Sequence, residues 1–470
     1  AGRHPDGWRT LDRNLKKGGN AGRGLFEVLF YLDFFKRIFH MMPCDTIVHS
    51  HILLAQDENR SILRDHSVAI KDGLICAIAP RTDIVGRYVP DREMETDLVL
   101  PGLVNAHAHA AMTFVRGYGD DMPLMDWLTT RIFPIEARLE PDITRLASLL
   151  GHAEMLSHGI TACMDMYIFE DAVFDAARTA GLRLVGGEAV FAFSSAACRN
   201  YHEALEATRR LHERSSSRLR TALNPHSVYT TDSEILAACR RLALELDMPL
   251  HIHLAETADE CALCEQRTGL RPVAYCQSLG LFDVPATIAH GVHLNKDEIA
   301  ILADKNVCVA HNPSSNMKLA SGIAPVPDML AAGLDVGLGT DGPASNNQLN
   351  IFAEMRQAAL LHKISDPTAL PAQTVLDMAT IHGAACLHWP ELGRLRQGGP
   401  ADLVGMNMRF PNLLPMHNPV SQLVYAAGGH ECELTMVEGE VLFHKGKFGR
   451  FDIGGVIAET GELLDFVRGK

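Results

Sequence analysis

Leu98-Val99-Leu100-Pro101-Gly102-Leu103-Val104-Asn105-Ala106-His107-Ala108-His109 decides the reading of this chain. The apolar run predicts a buried strand over 98–105, with two histidines placed where the strand leaves the core. Side chains at i and i+2 of a strand point the same way. His107 and His109 can therefore aim both imidazoles at one point. Neutral imidazole is the commonest protein ligand for zinc-like metals. A lone His-x-His also arises by chance on surfaces, so the pair draws its weight from segments of the same form elsewhere. The apolar run at 249–256 ends in His253 and Glu256, the run at 287–293 carries His290, and the run at 334–342 ends in Asp341. Each has a plain alternative: a core histidine bonded to backbone, or a carboxylate capping the next helix. Together they form the inventory of a catalytic metal site with one position open to water.

Outward from that stretch, short apolar runs alternate with longer helical patterns. Candidate strands lie at 98–105, 160–166, 183–190, 220–224, 248–254, 286–289, 306–310 and 335–339. Helical spacing fills the gaps, as at 232–246, which opens on a capping Asp232. Asn295 and Asn350 open similar segments. Eight β-α alternations predict a (β/α)8 barrel. Active sites of that fold sit at the C-terminal strand ends, where His107, His109, His226, His253, His290 and Asp341 all fall. An open doubly wound sheet is the competitor, but it leaves ligands from the first, fifth and eighth strands unexplained.

The flanks read differently. Asp72-Gly73 is a hairpin signal between alternating segments, and 435–442 reads alike. Neither flank suffices for a β domain alone. Together they predict one small composite β-sandwich over 43–99 plus 400–455, beside a barrel over 100–399 that exits at Gly398-Gly399-Pro400. Residues 456–470 read as a C-terminal tail helix. Residues 1–42 are first basic and Gly-rich, then Phe-rich, with an apolar run too short to span a membrane and interrupted by Glu27 and Asp33. The expectation is a poorly ordered extension, with a partner-binding or weakly membrane-associating helix as the alternative.

Over 470 residues the apolar fraction of 47% and charged fraction of 21% are those of a soluble globular protein. A formal charge of −14 argues against a nucleic-acid backbone as partner. Eleven scattered cysteines suggest free thiols in a reducing, cytoplasmic compartment. Cys261-x-x-Cys264 lacks a second pair or an adjacent redox context. No membrane partner is expected, and a homo-oligomer, dimer or tetramer, is left open.

From about residue 43 onward the chain resembles the amidohydrolase superfamily, and within it the S-adenosylhomocysteine/5′-methylthioadenosine deaminases. The stretch 101–109, Leu124-Met125-Asp126-Trp127-Leu128, His251-Ile252-His253-Leu254-Ala255-Glu256, His311-Asn312-Pro313-Ser314-Ser315-Asn316 and 339–347 carry the resemblance. It implies one divalent metal on His107, His109, His253 and Asp341. Zinc is the first choice and iron the second, since imidazole and carboxylate suit both. His251 is the rival of His253, and the His-x-x-Glu spacing favours His253. Binuclear relatives place a carboxylated lysine after strand four, where Asn224-Pro225-His226 stands here. The resemblance implies hydrolytic deamination of an adenosine thioether to the inosine derivative and ammonia. Glu256 would be general acid, Asp341 would accept the proton of water, and His290 would orient the attacking oxygen. Glu136 would accept from the ribose hydroxyls, and His226 would contact ribose and base. Trp127 would pack on the sulfur substituent, and Ser345 would touch the outer ligand. Arg199 is the candidate for a homocysteine carboxylate. Gly291, after His290, departs from the cysteine the family often has. Two other readings stay open: a deaminase or chlorohydrolase of a free heterocycle (guanine, pterin, cytosine or triazine), and a non-catalytic metal-binding scaffold.

Overall fold

The computed structural model describes residues 41–469, so the expectation for the N-terminal extension lies, up to residue 40, outside the described residues. The described residues open with a hairpin pair, β1 (Met42–Leu54), β2 (Ile62–Lys71) and β3 (Leu74–Pro80). Asp72 and Gly73 both take positive φ (52° and 78°), the geometry of a tight two-residue turn. β4 (Tyr88–Pro101) then runs parallel to β1, pairing Leu98 with Ile52.

Here the deciding stretch divides. The apolar run predicted as one strand is two. Leu98–Pro101 closes β4, and β5 (Leu103–Ala108) opens the barrel. The hinge is Gly102, where a Cβ would fall 2.0 Å from Thr161 Oγ1, so only glycine lets the two layers approach. β5 is also irregular: Asn105 pairs with Cys163 but Ala108 with Asp165, so the strand carries an extra residue before His109. Such bulges re-aim side chains, and strict alternation does not by itself explain how His107 and His109 converge.

The barrel continues through β6 (Ile160–Tyr167), β7 (Arg183–Val190), β8 (Leu219–Thr221), β9 (Asn224–Pro225), β10 (Leu250–Leu254), β11 (Ala286–His290), β12 (Cys308–His311) and β13 (Val336–Leu338), parallel throughout. The predicted fourth strand is split into β8 and β9. Two seams join the halves into a closed ring: Leu223 pairs with Leu250, and Ala108 with Asp341. The Asp341 N–H donates to the His107 carbonyl at 3.0 Å, so the last strand end is tied to the first. Closure is what makes residues 234 positions apart neighbours. The helices start where their caps predict. Asp232 accepts from Ile235 N–H, and Asn295 with Glu298 forms a reciprocal capping box.

β14 (Leu403–Met406), β15 (Cys432–Val437), β16 (Glu440–His444) and β17 (Lys447–Phe448) return to the first sheet, β14 pairing with β4. The result is one eight-stranded sheet in the order β17-β16-β15-β14-β4-β1-β2-β3. Its ends curl together in a sandwich-like manner. Ile75 of β3 and Met436 of β15 share one apolar cluster, and the turn at Gly439 meets Ile70. Arg183, at the start of β7, donates through two nitrogens to Asp402, fastening barrel to sheet. A helix over Ile453–Arg468 ends the described chain. No helix among the described residues is long and apolar enough to cross a membrane. All eleven cysteines are free thiols, Cys261 and Cys264 buried in one helix.

Candidate functional site

Three histidines meet at the C-terminal rim of the barrel, and each has its ring tautomer dictated from behind. His109 Nδ1 faces the Met166 carbonyl, and His253 Nδ1 faces the His226 carbonyl at 2.8 Å. A carbonyl only accepts, so both Nδ1 atoms carry a proton, and in the neutral ring it is Nε2 that is left bare. For His107 the same logic runs through a relay. His251 Nδ1 meets the Thr287 carbonyl at 3.2 Å, which leaves His251 Nε2 to accept from His107 Nδ1 at 2.8 Å. His251 therefore has both ring nitrogens engaged, by the Thr287 carbonyl and by His107. It sits one residue pair deeper in the barrel and holds His107. His107 Nε2 is fully buried with no hydrogen-bond partner in the protein, and His109 Nε2 stands 3.3 Å from His253 Nε2. Two bare nitrogens at that distance repel unless a proton or a cation lies between them.

Asp341 completes the set. It takes a left-handed conformation (φ 59°) at the end of the last strand, which turns its carboxylate back over the rim. Oδ1 lies 3.4 Å from His107 Nε2 and 3.2 Å from His109 Nε2. Oδ2 accepts from Ser315 Oγ at 2.6 Å and Ser345 Oγ at 2.8 Å. Burial pushes the Asp341 carboxyl up, yet the two imidazoles hold it well below the usual range. Burial pushes His109 down, but the Asp341 hydrogen bond and charge outweigh it and raise it to about 9, so without a metal His109 Nε2 holds a proton toward Asp341 that a bound cation would displace. The site thus attracts positive charge where the four donors converge. The donor atoms of His107, His109 and Asp341 lie within 4.8 Å of one another, as do those of His107, His253 and His290. Three bare nitrogens and an ionised carboxylate fit a divalent cation.

Ser345 is buried and donates to Asp341, so it braces that carboxylate. The Arg199 side chain is 89% exposed and held by Glu203.

The remaining candidates line one cavity. His290, in a left-handed turn shared with Gly291 (φ 75° and 57°), has Nδ1 2.8 Å from Asn316 Oδ1. Its Nε2 looks toward Glu256 Oε2 at 3.9 Å. Two consecutive positive φ values explain the glycine after His290. Glu256 Oε1 accepts from Ser321 Oγ at 3.2 Å, and burial raises its carboxyl above the ordinary range. Behind it Glu260 accepts the Ala255 and Glu256 N–H groups at 2.9 and 2.8 Å, fixing the turn that presents Glu256. His226 and Trp127 form walls of the same cavity, and Glu136 lies in it beside Phe133. Burial lowers His226 to about 3, so its ring is neutral.

Sequence reading missed Tyr167, whose hydroxyl donates to Glu136 Oε1 at 2.7 Å. The signal was available, since Tyr167 ends the second barrel strand. It also missed Asp165, which accepts the Ala110 N–H at 2.8 Å and steadies the turn after His109.

Residues 98–442 match the model of the amidohydrolase family. A 5-methylthioadenosine/S-adenosylhomocysteine deaminase of Nitratidesulfovibrio vulgaris (strain Miyazaki F) is 54% identical over 434 residues, 91% of this chain and 99% of the relative. The crystal structure of an adenosine deaminase from Xanthomonas campestris with bound zinc superposes with a TM-score of 0.89 at 35% identity, over 92% of this chain and all of that one. A triazine hydrolase variant superposes at 0.83 with 25% identity, covering 89% and 99%. With the family's match spanning most of the chain and the barrel rim carrying its histidines and aspartate, this protein belongs to the amidohydrolase family.

Proposed function

We propose that the protein deaminates adenosine thioethers hydrolytically, converting 5′-methylthioadenosine or S-adenosylhomocysteine to the inosine derivative and ammonia, with adenosine as a further substrate. The observation that carries this is a single cavity. Asp341, Glu256, His290 and Glu136 all line it. That is a proton-handling centre and a diol acceptor in one continuous space. The resemblance to the 54% identical deaminase supports the same reading.

His107, His109, His253 and Asp341 would hold one divalent metal, zinc first and iron second. Such a cation lowers the pKa of a water it binds from 15.7 toward about 7. Asp341, ionised and braced through Oδ2 by Ser315 and Ser345, accepts a proton from the attacking water. His290 Nε2 orients the attacking oxygen toward C6 of the adenine ring. Burial raises the Glu256 carboxyl, which suits it to deliver a proton to ring N1, where attack at C6 places charge. Glu256 then takes the proton of the hydroxyl added at C6 and passes it to the amino group, the C6–N bond breaks and ammonia leaves, and the proton held by Asp341 returns Glu256 to its starting state. C6 keeps the water oxygen as a ring carbonyl, so one water enters and one ammonia departs. Similar logic governs zinc deaminases in which a glutamate that is not a ligand moves the protons. Tyr167 occupies one oxygen of Glu136 and turns the rest of the carboxylate to the ribose diol. His226 and Trp127 pack the walls.

Ammonia release from a panel of adenosine thioethers, adenosine, guanine, pterins, cytosine and triazines tests this. Turnover of the nucleosides well above the free heterocycles is expected. Equal or better turnover of a free base or triazine would overturn the substrate class. No release from any member, with metal bound, would favour the scaffold.

A further inference from the structure

Glu256 is held from two sides. Glu260 fixes its main chain, and its carboxylate has one hydrogen-bond partner among the described residues, the Ser321 hydroxyl at 3.2 Å on Oε1. Oε2 faces His290 Nε2 at 3.9 Å. Ser321 comes from a different part of the chain, the turn after the short helix Pro313–Lys318 that follows β12. Unusual backbone brings it in. Ala320 and Gly322, on either side of it, take positive φ (54° and 126°). A left-handed alanine persists only where its surroundings enforce it. The Ser321 N–H donates to the Asn316 carbonyl at 2.9 Å, and its carbonyl accepts from His293 Nε2 at 2.7 Å. Ser321 is buried, and Glu256 Oε1 is the only acceptor its hydroxyl has among the described residues. The same segment sets Ser315 on Asp341 and Asn316 on His290.

We propose that Ser321 is a positioning residue for the reaction: by occupying Oε1 it assigns the proton transfers of Glu256 to Oε2 and keeps that oxygen facing the cavity. The inference rests on the deamination reading above and adds a residue to it. A protonated carboxyl carries its proton on one oxygen and accepts on the other. A hydroxyl whose sole acceptor is Oε1 directs its hydrogen there, so the proton of Glu256 resides on Oε2, on the side of His290. The terminal torsion of a glutamate is broad and two-fold. Without Ser321 the carboxyl would place its proton on either oxygen and turn between them. Glu256 gives a proton to N1, takes one from the added hydroxyl and passes it to the amino group, so a misaligned carboxyl slows turnover more than it weakens binding.

The test uses the metal-loaded full chain and 5′-methylthioadenosine. Ser321→Ala is expected to lower kcat by about tenfold or more, the scale of a hydrogen bond to a charged group. KM, metal content and melting temperature should stay near those of the parent. Ser321→Thr keeps the hydroxyl and should recover most of the lost kcat. In a Glu256→Gln background no proton is left to direct, so Ser321→Ala should change the residual kcat by less than about twofold, the non-additivity of groups that act as one. A Ser321→Ala kcat within about twofold of the parent overturns the assignment. So does a threonine variant no better than the alanine one. A loss of equal size in the Glu256→Gln background, or one that only follows metal content or melting temperature, makes Ser321 structural and overturns it too. No turnover of any nucleoside by the parent chain overturns the deamination reading, and the assignment with it.

Discussion

At the rim where β5, β10 and β13 meet, every donor atom has a partner behind it: a carbonyl, a second imidazole or a serine hydroxyl. Past Glu136, the walls are aromatic rings that stack on one another at the edge of solvent. The first region admits one arrangement, because each tautomer is set by an acceptor that cannot donate. The second tolerates a range of shapes, because apolar contact is non-directional. Changes at the rim should therefore be steep and all-or-none, and changes beyond Glu136 graded.

The steepest loss is expected for His109→Ala and Asp341→Asn. Even residues that only hold metal ligands cost about 10–100-fold when removed, so loss of a direct ligand should exceed that. Elemental analysis should show metal content falling together with turnover. Glu256→Gln separates the two: metal stays, and kcat falls by about 10²–10⁴-fold, the usual worth of a general acid–base group. Near-normal turnover with normal metal would make Glu256 structural. His251→Ala probes the relay behind His107. Metal affinity measured by competition with a chelator should weaken by about 10–100-fold, although the replaced residue is not a proposed ligand. An unchanged affinity would break the claim that tautomer control sets this end of the cavity. Tyr167→Phe, at the boundary between the two regions, should cost about tenfold in kcat/KM for ribonucleosides. That is the scale of one hydrogen bond to a charged group. The 2′-deoxy analogue should be affected less.

The smallest effect concerns the buried acids that support the rim loops. Burial raises Glu188 and Glu260 to about 7, although each accepts two backbone N–H groups. Their ordinary value is about 4.5, so the folded chain keeps protons there that the unfolded chain has released. Their contribution is fully present below about pH 4.5 and is lost as pH rises through about 7. The melting temperature should fall between about pH 5 and about pH 8, and Glu260→Gln should flatten that slope. A slope left unchanged by the substitution would show that Glu260 does not carry it.

The same contrast explains what could be read from the amino-acid sequence. Ligand chemistry restricts residue type, and barrel architecture restricts position, so His107, His109, His253, Glu256, His290 and Asp341 stood out at strand ends. The choice between His251 and His253 turned on depth in the barrel, which period-2 spacing does not encode. The break at Gly102 was hidden because the apolar run continues across it, and only the approach of Thr161 reveals the corner. The bond from Ser345 to Asp341 was not legible, because a hydroxyl near Asp341 can face a ligand or the carboxylate, and only the turn after β13 brings it onto the carboxylate. Phe191 and Phe193 belong to no motif. Aromatic residues after a strand are indistinguishable from core until the loop is folded.

The central claim is that one metal, held by three bare imidazole nitrogens and Asp341, supports deamination of an adenosine thioether. It is tested most directly by titrating zinc into chelator-stripped protein while following ammonia release from 5′-methylthioadenosine. The account predicts no release at the start, a linear rise, and a break at one zinc per chain. Full activity in the stripped protein, or a break at two, would contradict it.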